Sequence, residues 1–82
     1  MKENVLRGVA LLDEKVPDWR ERIDKSRLSM RNMNRCILGQ IFGHFIVGER
    51  KLNISPRNYG FMSDTDTDYS YRKLNQLWRE QL

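Results

Sequence analysis

The sequence has one cysteine and one histidine in 82 residues. A lone cysteine cannot form a disulfide within the chain, which excludes the class of small secreted proteins that depend on disulfides. Zinc and similar metals need several Cys and His ligands, so we expect no metal site and no cofactor. No apolar run approaches the ~20 residues that span a bilayer, and the N-terminus lacks the apolar core of a signal peptide. These scarcities predict a soluble cytoplasmic protein with no membrane contact.

Glycine and proline are also few, and no segment rich in Gly, Ser or Pro divides the chain. Hydrophobic residues make up 39% of the chain and recur at helical spacing, which argues against disorder. We therefore predict a single helical domain over residues 1–82, with the small core that a chain of this length can bury.

Apolar residues at intervals of three and four predict a first helix over residues 3–15 and a last helix over residues 68–81. Pro17 ends the first helix, because the residue before a proline avoids the helical conformation. A short helix is expected over residues 19–23. Residues 24–30 are expected to be irregular, and a short strand is the alternative.

Residues 32–48 carry the strongest apolar pattern in the chain. Apolar side chains recur at intervals of four and widen to most of the helix circumference: Met33, Ile37, Leu38, Ile41, Phe42, Phe45, Ile46 and Val47. A helix that is apolar on so much of its surface belongs in the core. Asn32 or Asn34 is expected to cap its start, and Gly48 to mark its end. The patterns together predict an all-α fold, a compact small helical domain of about three main helices and one or two short ones, with the helix 32–48 at its centre.

Gly39 and Gly43 lie four residues apart inside this predicted helix. Two glycines in a helix interior cost about 1–2 kcal/mol, which the close approach of another backbone or ring would offset. We interpret both glycines as positions of close packing. A flexible joint within the helix is the alternative.

Cys36, Gln40 and His44 share one side of the predicted helix, and a Cys–His pair is typical of nucleophilic catalysis. Eight residues of helix separate the Cα atoms of Cys36 and His44 by about 12 Å, too far for the two side chains to hydrogen-bond. We therefore expect a buried, unreactive thiol at Cys36, a hydrogen-bonded His44 at the core boundary, and no enzymatic activity.

Asp64, Asp66 and Asp68 match the opening D-x-D-x-D of a calcium-binding loop. Such a loop needs glycine where Tyr69 stands and a bidentate glutamate where Asn75 stands. We therefore interpret the three aspartates as a capping cluster for the last helix, whose positive N-terminal end they complement.

The net charge is +4, and one segment carries an excess of that size. Residues 20–35 contain six cations and only two carboxylates, Glu21 and Asp24. The cations are Arg20, Arg22, Lys25, Arg27, Arg31 and Arg35. Arginine pairs bidentately with carboxylates and phosphates, so this segment is the candidate partner-binding site. A solvated face beside the helices is the alternative. Tyr59 and Tyr69, in loop-like stretches, are candidate exposed anchors for a partner.

The strings LLDEKVPDWRERID, CILGQIFGHF, YGF and YRKLNQLWREQL, in this order and spacing, resemble small uncharacterised proteins of actinobacterial and bacteriophage genomes. The likeness covers most of the chain and rests above all on Pro17-Asp18-Trp19 and on residues 36–43. No activity is established for that group, so the resemblance implies no catalytic residue. It implies a short, phage-type protein of the kind that acts by binding a host macromolecule.

We therefore predict a small non-enzymatic binding protein that modulates or inhibits a partner protein through the basic segment. The alternative is a small nucleic-acid-binding regulatory protein that uses the same six cations. A net charge of +4 is modest for nucleic acid. In addition, Asp18, Glu21 and Asp24 interleave with the cations and would repel phosphates, which favours the protein partner.

Overall fold

The computed structural model describes all of residues 1–82 and contains only helices, turns and irregular segments. Four α-helices follow one another along the chain: α1 (Lys2–Lys15), α2 (Ile37–Phe42), α3 (Phe45–Leu52) and α4 (Asp68–Arg79). Three short 3-10 helices lie between them: Trp19–Arg22, Lys25–Arg27 and Pro56–Tyr59. The molecule measures 29 × 26 × 20 Å, and its architecture confirms the predicted all-α fold. None of its helices combines the length and the apolar character needed to cross a membrane.

The first and last helices begin and end close to their predicted limits. α1 starts one residue earlier than expected and stops at Lys15, two residues before Pro17. α4 starts at Asp68 as predicted, because the Thr67 hydroxyl accepts a hydrogen bond from the Ser70 amide at 3.1 Å and caps the helix. The N-cap is therefore Thr67 and not one of the three aspartates, contrary to the interpretation of the sequence, whereas Asp68 does lie in the first turn, where its charge complements the helix N-terminus.

Three aromatic rings form the centre of the core. Trp19 and Trp78 meet edge to face with ring centroids 5.9 Å apart, and Phe61 stacks on Trp78 at 5.3 Å. The indole N–H of Trp78 donates to the Gly60 carbonyl at 2.6 Å, so burial leaves this polar atom satisfied. The other core residues come from all four α-helices and from residues 28–36: Val5, Leu12, Leu28, Met30, Cys36, Ile37, Leu38, Phe45 and Leu74.

The prediction of one central helix over residues 32–48 is wrong, because the segment holds two helices. α2 ends at Gly43, whose φ of 91° lies in the left-handed region that favours glycine. α3 begins directly after His44, whose imidazole Nδ1 accepts a hydrogen bond from the Ile46 amide at 3.1 Å. A left-handed residue followed by an extended one turns the chain, so the two helices pack against each other instead of continuing in line.

The expected helix start at Asn32 or Asn34 is also wrong. The Asn32 side chain accepts hydrogen bonds from the amides of Asn34 and Arg35, at 2.9 and 3.0 Å, and so stabilises a turn that precedes the helix. α2 begins one turn later, where the Cys36 sulfur accepts a hydrogen bond from the Gly39 amide at 3.2 Å. Gly48, expected to end the helix, lies inside α3 and is buried against Leu38 and Phe42.

The two glycines of the predicted helix have different surroundings. A Cβ on Gly39 would lie 2.6 Å from the Asn34 carbonyl carbon and closer still to the Met33 carbonyl oxygen, which confirms close packing there. A Cβ on Gly43 would meet no atom within 4 Å, so the close-packing hypothesis is wrong for this residue. Gly43 instead ends α2, so the chain does have a break here, as the alternative of a joint expected.

Because the chain turns at Gly43, some of the apolar side chains of residues 32–48 are exposed. Ile37, Leu38 and Phe45 are buried, but Met33 is 47% exposed, and Ile46 and Val47 are each 40% exposed. Residues 24–30, expected to be irregular, contain the short 3-10 helix Lys25–Arg27 and no strand, so the strand alternative is wrong.

Candidate binding surface

The six cations of residues 20–35 divide into a paired set and an unpaired set. Arg20, Arg22 and Arg31 each form an ion pair with a carboxylate of this chain. Lys25, Arg27 and Arg35 are exposed and take part in no ion pair. The sequence alone predicts one binding surface made of all six cations. In the structure, only the second set has charges that are free to meet a partner.

Arg20 joins three parts of the fold. Its guanidinium lies 4.5 Å from the Trp19 ring centroid, donates to the Asp13 carboxylate at 2.9 Å and donates to the Gln81 carbonyl at 3.0 Å. The Trp19 indole N–H donates to the same Asp13 oxygen at 2.8 Å. These hydrogen bonds, first that of Trp19 and then that of Arg20, lower the pKa of Asp13 below its usual value and keep it ionised. Arg20 therefore has a structural role between α1 and the C-terminal turn.

Arg22 pairs with Asp18 at 3.1 Å, one turn earlier in the chain. Both side chains are about half exposed, and a surface pair of this kind contributes little stability. The pair nevertheless neutralises both charges locally, so Arg22 adds little net charge to the surface.

Arg31 connects the basic segment to the loop before α4. Its guanidinium bonds the carboxylates of Asp66, at 2.8 Å, and Asp68, and it lies 5.3 Å from the centroid of the Tyr71 ring. Two carboxylates and one ring thus hold the Arg31 side chain. Of the three alternating aspartates noted in the sequence, Asp66 and Asp68 bind Arg31 and Asp64 does not.

The unpaired set lies on two segments that one side chain ties together. The Gln40 carbonyl oxygen accepts a hydrogen bond from the Asp24 amide at 2.6 Å. The Gln40 amide nitrogen donates to the Arg35 carbonyl at 2.8 Å and to the Asp24 carbonyl at 3.3 Å. The backbone that carries Lys25 and Arg27 is thereby fixed next to the backbone of Arg35. We call Lys25, Arg27 and Arg35 the cationic loop surface.

One carboxylate remains charged beside the cationic loop surface. The Asp24 carboxylate accepts hydrogen bonds from the Ser26 hydroxyl at 2.6 Å and the Ser26 amide at 3.1 Å. These hydrogen bonds lower the pKa of Asp24 below its usual value, although it forms no ion pair. A negative charge therefore sits beside Lys25 and Arg27 at neutral pH.

Residues 28–31 run along one edge of α4 and bring further cations near the basic segment. Arg79 donates to the Leu28 carbonyl at 3.1 Å, and the Met30 amide donates to the Asn75 side chain at 2.6 Å. Arg72 lines the same open cleft as Arg31. The sequence does not indicate this edge, because residues far apart in the chain form it.

The two tyrosines proposed as exposed anchors differ in exposure. Tyr59 ends the 3-10 helix Pro56–Tyr59, is half-buried and packs against the core, with its carbonyl facing Gly8 of α1. Tyr69, in the first turn of α4, is 68% exposed. Of the two rings, that of Tyr69 offers far more surface to a partner.

Cys36 and His44 occupy separate helix starts. The Cys36 thiol is 1% exposed, and desolvation by burial raises its pKa, which favours the unreactive thiol form. The His44 Nδ1 atom is engaged by the Ile46 amide, as expected for a hydrogen-bonded residue at the core boundary. The side chains of Cys36 and His44 therefore act as N-terminal caps of α2 and α3.

Comparison with protein-family models, curated proteins and solved structures finds no match. The resemblance to actinobacterial and bacteriophage proteins therefore stays a prediction. Any function has to be inferred from the surface itself.

Proposed function

We propose that this chain is a small non-enzymatic binding protein whose cationic loop surface contacts an acidic surface of a partner protein. The observation that carries the proposal is the contrast between the paired and the unpaired cations. Arg20, Arg22 and Arg31 are neutralised within the chain, whereas Lys25, Arg27 and Arg35 form no ion pair, although the Asp24 carboxylate lies near the first two. The phage-type resemblance suggests a host protein as the partner, which binding would modulate or inhibit.

The rigidity of the surface supports this role. Gln40 fixes the backbone of both segments, so binding would order only the side chains of the three cations. Less conformational entropy is lost when the backbone is already in place, and more of the interaction energy remains for affinity. Complementary charges also accelerate association with the correct partner.

The charge of Asp24 favours a protein partner over nucleic acid at this surface. A phosphate backbone presents only negative charge and would meet the ionised Asp24 beside Lys25 and Arg27. A protein surface carries both signs and can place a cation against Asp24. The nucleic-acid alternative for residues 20–35 is therefore the weaker one.

A charge-reversal experiment tests the proposal. The triple variant Lys25→Glu, Arg27→Glu, Arg35→Glu and the parent would each be used to capture proteins from a nuclease-treated bacterial lysate. We expect a defined protein to be retained by the parent and lost by the triple variant. Affinity of the purified partner should fall moderately with salt, mainly through the association rate.

The matched control is Lys2→Glu, Arg50→Glu, Lys51→Glu, because these three cations are equally exposed and equally free of ion pairs. It changes the net charge by the same amount and should retain the partner. Equal loss in both variants, or release of all captured material by nuclease, would contradict the proposal. Circular dichroism of each variant verifies that the helices remain.

A further inference from the structure

The outward face of α4 carries a pattern that the cationic loop surface does not explain. Tyr69, Arg72, Lys73 and Gln76 follow one another at intervals of three, one and three residues, which places them on one side of the helix. The opposite side buries Leu74 and Trp78 in the core. Tyr69 is the most exposed large hydrophobic residue of the chain, at 68%.

These four residues line an open groove of about 420 Å³ on their own. No carboxylate contributes to its lining, and Arg72 and Lys73 take part in no ion pair. The nearby carboxylates of Asp66 and Asp68 are bonded to Arg31. The groove thus combines an exposed ring, two free cations and an amide.

We propose that this face binds single-stranded nucleic acid, independently of the contact at the cationic loop surface. A base would stack on the Tyr69 ring, and the flanking phosphates would meet Arg72 and Lys73. Stacking on aromatic rings together with cations along the backbone is how proteins hold single strands without reading their sequence. The Gln76 amide can donate to and accept from the edge of a base.

The lining of the groove favours a nucleic-acid strand over a protein segment. Protein contacts draw most of their affinity from apolar pockets that exclude water, and Tyr69 is the only hydrophobic residue here. A single strand needs no such pocket, because each base supplies its own flat surface. A duplex keeps its bases paired and stacked inside the helix, so it has no free base to place on the Tyr69 ring.

The test is fluorescence anisotropy of a labelled oligothymidylate titrated with the full chain at low salt. Two phosphate contacts predict a slope of about −1.4 in log affinity against log salt, or about a sevenfold loss for a fourfold rise in salt. Tyr69→Ala should weaken binding about fivefold or more, whereas Tyr69→Phe, which keeps the ring, should bind like the parent. Arg72→Gln with Lys73→Gln should weaken binding and flatten the salt slope.

The matched control is Arg50→Gln with Lys51→Gln on α3. This pair is also adjacent, exposed and free of ion pairs, but it has no aromatic neighbour at the same spacing. It removes the same charge and should bind the oligonucleotide within about twofold of the parent.

Four results would overturn the proposal: no binding by the parent, an equal loss in the α3 control, parent-like affinity of Tyr69→Ala, or tighter binding of duplex than of single strand. Displacement of the oligonucleotide by an equal concentration of an oligoaspartate peptide would instead assign the face to an acidic protein. None of these results depends on capture of a partner by the cationic loop surface, so the two proposals fail separately.

Discussion

α4 and the pair formed by α2 and α3 contribute to the same core but are held in it by different means. α4 is one continuous helix of 12 residues, and its Trp78 ring packs between Phe61 and Trp19. α2 and α3 have six and eight residues, fewer than the ~12–15 that an isolated helix needs to persist in water. Tertiary packing orders them: Ile37, Leu38 and Phe45 are buried in the core, and the backbone comes close to its neighbours at Gly39 and Gly48.

The difference teaches that two kinds of substitution are damaging in this chain. α4 depends on the presence of a large ring, so it is sensitive to the removal of atoms. The α2–α3 pair depends on the absence of side chains, so it is sensitive to the addition of atoms. The following predictions separate these two dependences, beginning with the largest effect.

Trp78→Ala should have the largest effect on stability, a loss of about 3–5 kcal/mol in the free energy of unfolding. The substitution removes a fully buried ring that contacts two other rings, and a core this small cannot refill the space. Urea unfolding followed by far-ultraviolet circular dichroism measures the loss. Trp78→Phe keeps a ring and loses the hydrogen bond to Gly60, so it should cost clearly less. A loss below about 1 kcal/mol for the alanine variant would show that the ring is not central.

Gly39→Ala should cost about 1–3 kcal/mol, even though alanine is the better helix former. The added methyl would overlap the backbone of Met33 and Asn34, which has to move away from α2. The same urea titration measures the effect. Unchanged or raised stability would mean that residues 33–34 give way freely and that close packing does not hold α2.

Gly43→Ala should cost about 1 kcal/mol, and for a different reason. Space is available around Gly43, but its φ of 91° is unfavourable for a residue with a Cβ atom. Gly43→Asn should cost less, because asparagine tolerates the left-handed conformation better than alanine does. A larger side chain such as Gly43→Leu should then cost about as much as alanine. A cost that grows with side-chain size would restore the close-packing hypothesis for this residue.

Asp13 should make the smallest contribution, which is present at neutral pH and is lost in acid. Its pKa in the folded protein is lowered from 3.8, so the carboxylate stabilises the fold above the unfolded value. That contribution is lost as the pH falls through the lowered pKa. Asp13→Asn should therefore reduce the fall in the urea midpoint below pH ~4. The matched control is Glu14→Gln, which removes the neighbouring exposed carboxylate but leaves the hydrogen bonds of Asp13 with Trp19 and Arg20 in place. Equal acid sensitivity of the parent and Asp13→Asn would contradict this role.

The sequence predicts α1 and α4 well because each has one apolar side of constant helical period and one recognisable boundary, Pro17 after α1 and the acidic residues at the start of α4. The same reasoning fails over residues 32–48, because an apolar pattern on most of a helix circumference fits one long helix or two short ones equally well. Only the left-handed backbone conformation at Gly43 distinguishes one long helix from two short ones. The spacing of apolar residues in a sequence carries no information about that conformation. The two glycines looked equivalent in spacing, whereas one accommodates a neighbouring backbone and the other turns the chain.

The candidate surfaces show a similar limit. Residues 20–35 were recognisable as basic, but which of the cations are paired depends on partners as distant as Asp66 and Asp68. The outward face of α4 was readable in principle from its spacing. Acidic residues at the start of α4 and near its end offset the cations of the C-terminal quarter of the chain, which therefore has no excess of positive charge. For this reason the charge distribution along the sequence does not draw attention to Arg72 and Lys73.

The crossed tryptophans have a spectroscopic consequence. Two indoles held edge to face, with centroids 5.9 Å apart, should give the folded chain a near-ultraviolet circular dichroism signal that disappears when the packing of the rings is lost. Both rings are fully buried, and Trp78 lies on the side of α4 opposite Tyr69. A strand seated on Tyr69 should leave indole emission unchanged, whereas loss of the core should shift it to longer wavelength. A single fluorescence titration can therefore distinguish occupancy of the outer face from unfolding.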